Sequence, residues 1–329
     1  MSLLTPGEAQ CRLWHGLIPA VPVPFRASGE IDGAAQQRYV AWMARQPIQG
    51  VAVWAHTGRG LRMKREQRIE VLRSWREGLG PGRLIIAGVG GLPERAEDFT
   101  AYLDSAVEMA RDALEHGAHA FLIHPPRLFH HVASDRDLLF DYHRELAAVG
   151  APNFLFYLYE AAGGFPYTEA HLRDLFARPQ VAGIKLATLD SVMTFQKVAN
   201  LIAREFPRQL LITGEDRFLG YSLMCGAQAA LIGMGAACTA LQAGMMRAYY
   251  EGRAAEFLEL SAKVDRLAQA TFIPPMEGYI QRMLWALVHQ GAIGRESAHD
   301  PWGPSLPESE FATVGNVVRE VETSHASHG

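Results

Sequence analysis

A rhythm of strand-like and helix-like segments constrains the fold of this chain most tightly. Eight short apolar runs, each bounded by turn formers, recur along it: "GLIPAVPV" near residue 16, "GVAVW" near 50, "LIIAGV" near 84, "AFLIHP" near 120, "NFLFYLY" near 153, "AGIKLA" near 182, "LLITG" near 210 and "AALIGM" near 229. Runs of this kind read as strands buried on both faces, as in a parallel sheet. Between them lie amphipathic stretches at 33–46, 64–78, 97–116, 135–148, 168–177 and 191–205. Eight strand–helix units in about 240 residues fit a (β/α)8 barrel. A doubly wound sheet fits less well, because it needs only five or six strands and a glycine-rich first crossover. The units share no sequence self-similarity, so they are not a solenoid of matched repeats.

The expected class is therefore α/β, a (β/α)8 TIM barrel over residues 16–238 with a small C-terminal helical domain. Residues 1–15 read as an N-terminal extension. Residues 239–329 read as helices and a tail, broken at Pro274-Pro275 and ending in a segment, "TSHASHG", expected to be disordered.

Composition narrows the function classes. The chain is 49% hydrophobic and 20% charged, with a formal net charge of −4 and no long basic stripe, which argues against nucleic acid or a membrane surface as partner. The three cysteines, Cys11, Cys225 and Cys238, are scattered, without paired spacing, as expected in a reducing compartment. No run approaches the length of a membrane helix, and the start lacks the pattern of a signal peptide, so a cytoplasmic location is expected.

One residue breaks the strand pattern. The chain holds four lysines against 27 arginines. Three of them, Lys64, Lys197 and Lys263, sit in polar helix-like contexts, whereas Lys185 stands inside "VAGIKLATLD". Strand alternation puts Ile184 and Leu186 on one face and Gly183, Lys185 and Ala187 on the other. A lysine near a strand end can snorkel to water or pair with a carboxylate. At the carboxyl end of a barrel strand, a desolvated lysine can instead attack a ketone and form an imine that serves as an electron sink. Tyr157, at the end of the fifth run, offers a phenol to move protons.

Several segments, in order, resemble the dihydrodipicolinate synthase / N-acetylneuraminate lyase family of pyruvate-dependent class I aldolases. They are "GLIPAVPVPFRASGEID", "HTGRG", "FYLYEAAGG", "GIKLATLD" and "TGEDRFLGYSLMCGAQAALIGMG", spanning roughly residues 16 to 300. The resemblance implies that Lys185 forms the Schiff base and Tyr157 is the general acid/base. It further implies that Thr57 and Gly58 hold the pyruvate carboxylate and that Ile232 borders the pocket. No cofactor and no metal are implied. The partner is a small 2-oxo acid, and the assembly a homo-oligomer, a tetramer by resemblance.

Departures from the family pattern concern the second substrate. His56 replaces the first Thr of the loop and Arg59 its Glu. Pro126 or Arg127 replaces a relay tyrosine, Leu158 and Glu160 stand for Asn and Pro, and Ala162 stands for an arginine. His56 is a candidate substrate contact or proton relay, and Arg59 and Arg127 are candidate carboxylate clamps. These departures argue against lysine-pathway dihydrodipicolinate synthesis. A carbon–carbon lyase or aldolase is the leading expectation. The alternatives are a 2-keto-3-deoxy sugar acid dehydratase using the same imine and a non-catalytic relative that binds a 2-oxo acid. "HPPRLFHH" is histidine-rich, but adjacent His130 and His131 cannot easily chelate from one strand face. "AGVGGLPERA" lacks the Lys of a phosphate loop and reads as a close turn.

Overall fold

Each of the eight apolar runs forms a strand: β1 Leu17–Pro19, β2 Gly50–Val53, β3 Leu84–Val89, β4 Ala120–Ile123, β5 Asn153–Leu158, β6 Val181–Ala187, β7 Leu210–Thr213 and β8 Ala229–Ile232. The computed structural model describes residues 3–126, 136–189 and 191–323, so Arg127, His130, His131 and Asp190 lie outside the described residues. All strand pairs are parallel, in the order β1-β8-β7-β6-β5-β4-β3-β2. A parallel bridge between Ala20 and Ala52 joins the two ends of this order, and the Val21 N–H donates to the Ala52 carbonyl at 3.1 Å. The sheet thereby closes into a barrel, which leaves no exposed edge.

Alternation along the strands sorts the apolar residues into two layers. Ile18, Ala52, Ile86, Leu122, Phe154 and Ile212 fill the barrel interior. Val53, Ile85, Phe121, Leu155, Ile184 and Leu211 face outward against the helices. Those helices follow the amphipathic stretches closely: Gly33–Met43, Arg65–Gly78, Phe99–Glu115, Arg136–Ala148, Glu169–Phe176 and Val192–Glu205, then the short Leu219–Met224 after β7.

Before β1, the helix Pro6–Leu13 is started by Thr5, whose hydroxyl accepts the Glu8 N–H at 3.2 Å while the Glu8 carboxylate accepts the Thr5 N–H at 2.7 Å. It seats Ala9 and Leu13 in the interior cluster, and Gln10 donates to the carbonyls of Ala182 and Arg208, each at 2.7 Å. Burying Leu13 alone contributes about 2 kcal/mol. This segment plugs the amino-terminal end of the barrel. A further helix follows β8. This helix, Thr239–Tyr250, is pinned by Tyr249 and Tyr250, whose hydroxyls donate to the carbonyls of Leu223 and Ala227 at 2.9 Å.

Three further helices follow, Ala254–Thr271, Tyr279–His289 and Glu308–Thr323. The link between the first two is held by Arg282, which is fully buried. Its guanidinium donates to the carbonyls of Ile273 at 2.7 Å and Pro275 at 3.2 Å, and to Glu310 at 2.7 Å. Among the described residues, no helix is long and apolar enough to cross a membrane.

Candidate active site

Strand β6 carries Lys185 into the carboxyl mouth of the barrel. Ile184 and Leu186 belong to the outer layer and Ala187 to the interior, so alternation turns Lys185 inward. Its stem passes Gly214, where a Cβ would come within 2.5 Å of the lysine Cε, so only glycine leaves room. The Nζ lies 4.3 Å from the centroid of the Phe156 ring, and the residue is 6% exposed. Burial pulls the ammonium pKa down to about 8, while Asp216 and Glu215 act the other way.

Those two carboxyls follow β7. Burial raises the Glu215 carboxyl to about 7 against donations from the Thr188 amide at 2.6 Å, the Thr188 hydroxyl at 2.9 Å and the Leu189 amide at 2.9 Å. Burial likewise raises Asp216, opposed by the Met234 amide, which donates to it at 2.7 Å, and by the Lys185 charge. One cation thus faces two reluctant anions in a dry pocket.

Lys185 opens onto an inner chamber of about 40 Å³ that His56, Thr57, Tyr159, Asp216, Phe272 and Tyr279 also line. Of the residues singled out from sequence, the structure brings together Lys185, His56 and Thr57. The Thr57 hydroxyl lies 2.9 Å from the Tyr279 hydroxyl, and His56 Nδ1 lies 3.1 Å from it on another side. No acceptor among the described residues takes the amides of His56 and Thr57.

Four other residues singled out from sequence do not line the Lys185 chamber. Tyr157 points away from Lys185: Phe156 and Leu158 occupy the interior, and Tyr157 packs in the outer layer, 6.0 Å from the Tyr167 ring. A one-residue irregularity explains this. Asn153 pairs with Val181, but Phe154 pairs with Gly183, so β6 carries one extra residue and Lys185 faces Phe156 rather than Tyr157. Gly58 is no donor for a carboxylate, because its N–H is committed to the Ala55 carbonyl at 2.9 Å. A Cβ there would come within 3.0 Å of the Val21 carbonyl, which accounts for the glycine.

Ile232 belongs to the outer layer with its carbonyl accepting from Ala20 at 2.9 Å, and the adjacent Gly233 borders the chamber instead. Arg59 is no free clamp. It donates to Asp300 at 2.7 and 3.2 Å and to Glu277 at 2.7 Å, tying the loop after β2 to the C-terminal segment. Arg127 lies outside the described residues.

Sequence reasoning missed Phe156, Tyr159, Asp216 and Tyr279 as members of the site. The acidic pair at the end of β7 carried a readable signal, since barrel chemistry gathers at strand ends. Tyr279 carried none, because it comes from a helix outside the strand rhythm. Beyond the chamber lies an outer cavity of about 260 Å³. His56 and Leu158 border both spaces, and Leu61, Pro125, Ala162 and Trp302 line the outer one.

The fold and this pocket define a class: (β/α)8 barrels that hold a desolvated lysine at the carboxyl mouth. A model described as the dihydrodipicolinate synthetase family matches residues 13–318. The chain belongs to that family. It is 23% identical over 259 residues, 76% of this chain and 79% of the relative, to a probable mitochondrial 4-hydroxy-2-oxoglutarate aldolase of Emericella nidulans. It is 24% identical over 219 residues, 66% of each chain, to N-acetylneuraminate lyase 2 of Escherichia coli. A solved prophage protein of the dihydrodipicolinic acid synthase family from E. coli K12, in complex with pyruvate, superposes with a TM-score of 0.80 at 18% identity, covering 93% of this chain and 98% of that one.

Proposed function

We propose that the protein is a class I lyase or aldolase that forms an imine between Lys185 and the C2 carbonyl of pyruvate or another 2-oxo acid. The observation that carries this reading is the desolvated lysine in the inner chamber, with its pKa lowered to about 8. At pH 7 about one tenth of such amines are neutral, against about one in three thousand for an ordinary lysine.

The amine adds to C2, the carbonyl oxygen takes protons and leaves as water, and the resulting iminium draws electron density from the C3–C4 bond. Cleavage leaves an enamine on the lysine and releases an aldehyde, and condensation is the reverse. The Thr57 hydroxyl, with the amides of His56 and Thr57, supplies donors for the substrate carboxylate. The inner chamber holds on the order of three waters, which suits the C1–C3 end of a 2-oxo acid. The remainder of the substrate occupies the outer cavity, where Ala162 stands in place of an arginine and does not favour the lysine-pathway reaction.

The test is borohydride reduction with pyruvate followed by peptide mapping. One adduct is expected, on the Lys185 peptide, and none in Lys185→Ala. No adduct, or an adduct on another lysine, removes the reading. Product analysis then separates a lyase, which gives pyruvate and an aldehyde, from a dehydratase, which keeps the carbon chain intact. We also propose a homo-oligomer, in which Val192, Met193, Tyr221 and Met224 meet a second copy. They are exposed by 39%, 80%, 39% and 58% on adjacent helices that the Gln196–Tyr221 hydrogen bond links at 2.6 Å.

A further inference from the structure

The imine reading leaves open what limits the ketone that Lys185 accepts. In a closed ring of eight strands β2 stands opposite β6, so a 2-oxo acid with its carboxylate at Thr57 and its C2 on Lys185 spans the barrel mouth. Its C3 is then left on the β6 side, among the residues that follow the lysine along the chain. Of these, Ala187 and Leu189 border the chamber. One carbon attached to C3 can leave past Leu158, which borders both the chamber and the outer cavity. A second carbon on C3 has no such exit and must fit inside a space of about 40 Å³.

Leu189 is also the one described chamber residue other than glycine whose backbone is left-handed, with φ at +46°. A bulky side chain disfavours that conformation, so neighbouring contacts must hold it there. Glu215 provides them from the end of β7. It is fully buried, and both of its carboxylate oxygens serve the turn after β6. The Thr188 amide donates to Oε1 at 2.6 Å and the Leu189 amide to Oε2 at 2.9 Å. Glu215 does not itself border the chamber, so it reaches a substrate only through Leu189. The opposite walls do not yield either. Phe156 is packed in the barrel interior, and Phe272 and Tyr279 are stacked with 4.6 Å between centroids.

We propose that Leu189 is a specificity-determining residue that closes the chamber against a second carbon on C3, and that Glu215 is the positioning residue that holds it in place. The proposal rests on the imine reading above and narrows its substrate class to 2-oxo acids unbranched at C3. In condensation the donor then carries a methyl group at C3, and in cleavage the substrate carries a methylene there. A branched C3 presses its extra methyl onto a leucine that cannot turn aside, because both amides of its turn are fixed by one buried carboxylate.

The experiment measures initial rates of borohydride trapping on the full chain with 2-oxobutanoate and with 3-methyl-2-oxobutanoate, which differ by one methyl at C3. The ratio of the two rates cancels any change in the reactivity of the lysine itself. The unmodified protein is expected to favour the unbranched acid by about tenfold or more, and Leu189→Gly to bring the ratio within about threefold of unity. Glycine suits the left-handed position, so this variant is expected to keep its melting temperature. Glu215→Gln sets an amide N–H against one of the two backbone donors and is expected to lower the ratio while trapping of 2-oxobutanoate persists. Leu13→Ala, at the other end of the barrel, is expected to lower the melting temperature and leave the ratio unchanged, which separates selectivity from stability. A preference below about threefold in the unmodified protein, or an unchanged ratio in Leu189→Gly, overturns the proposal and leaves the imine standing. An unchanged ratio in trapping-competent Glu215→Gln overturns the positioning role of Glu215. No adduct with either acid or with pyruvate in the unmodified protein overturns both readings.

Discussion

Lys185 is placed under opposing demands. Burial against Phe156 and Gly214 favours its neutral amine, while Asp216 and Glu215 favour the cation. The sign of the pH dependence follows. A lysine with a depressed pKa gains neutral amine as pH rises only until that pKa is passed. The initial rate of imine trapping is therefore expected to rise roughly tenfold per unit from pH 6 toward 8 and then level off. A rate that keeps climbing to pH 10 would show an ordinary, solvated lysine. Gly214 tests the same geometry from the other side. A Cβ at this position meets the Lys185 Cε at 2.5 Å and the Leu186 carbonyl at 2.9 Å. Gly214→Ala is expected to cost about 1–3 kcal/mol of stability, read by thermal denaturation, and to abolish trapping at Lys185.

Elements decide which side chains can meet. The residue types of β5 and β6 were legible in the sequence, and alternation set Lys185 on the face opposite Ile184 and Leu186, while the packing layers show that face to be the inner one. The face of Tyr157 did not, because the extra residue in β6 at the Val181–Gly183 pairing shifts the register against β5. One residue of slip exchanges the two faces of a strand. The link between helices Ala254–Thr271 and Tyr279–His289 is the second decisive element, since it carries Glu277 and Tyr279 to the mouth. Its backbone carbonyls are gathered by Arg282, which lies at the start of the second helix and pairs with Glu310. Arg282→Ala is expected to destabilise the protein by about 3 kcal/mol in denaturant unfolding. Unchanged stability would mean that the carbonyls find other donors.

At the scale of the molecule, the barrel carries Lys185 and the C-terminal segment brings Tyr279 and Glu277 to the mouth, with Arg59 bridging the two through Asp300 and Glu277. The apolar face around Met193 belongs to this scale too. Met193→Asp is expected to weaken self-association by about tenfold or more in sedimentation analysis. An unchanged mass distribution would remove that face from the assembly. The sequence alone determined the eight-unit barrel, because hydrophobic periodicity is a local signal that repeats wherever a strand or helix must be buried. It also determined the candidate lysine, since a charge inside an apolar strand is conspicuous wherever it occurs. Only the tertiary structure decided what surrounds that lysine. The β6 irregularity, the committed Gly58 amide, the Arg59 ion pairs and the approach of Tyr279 all arise from contacts between segments distant along the chain, and no local pattern of residues encodes such contacts.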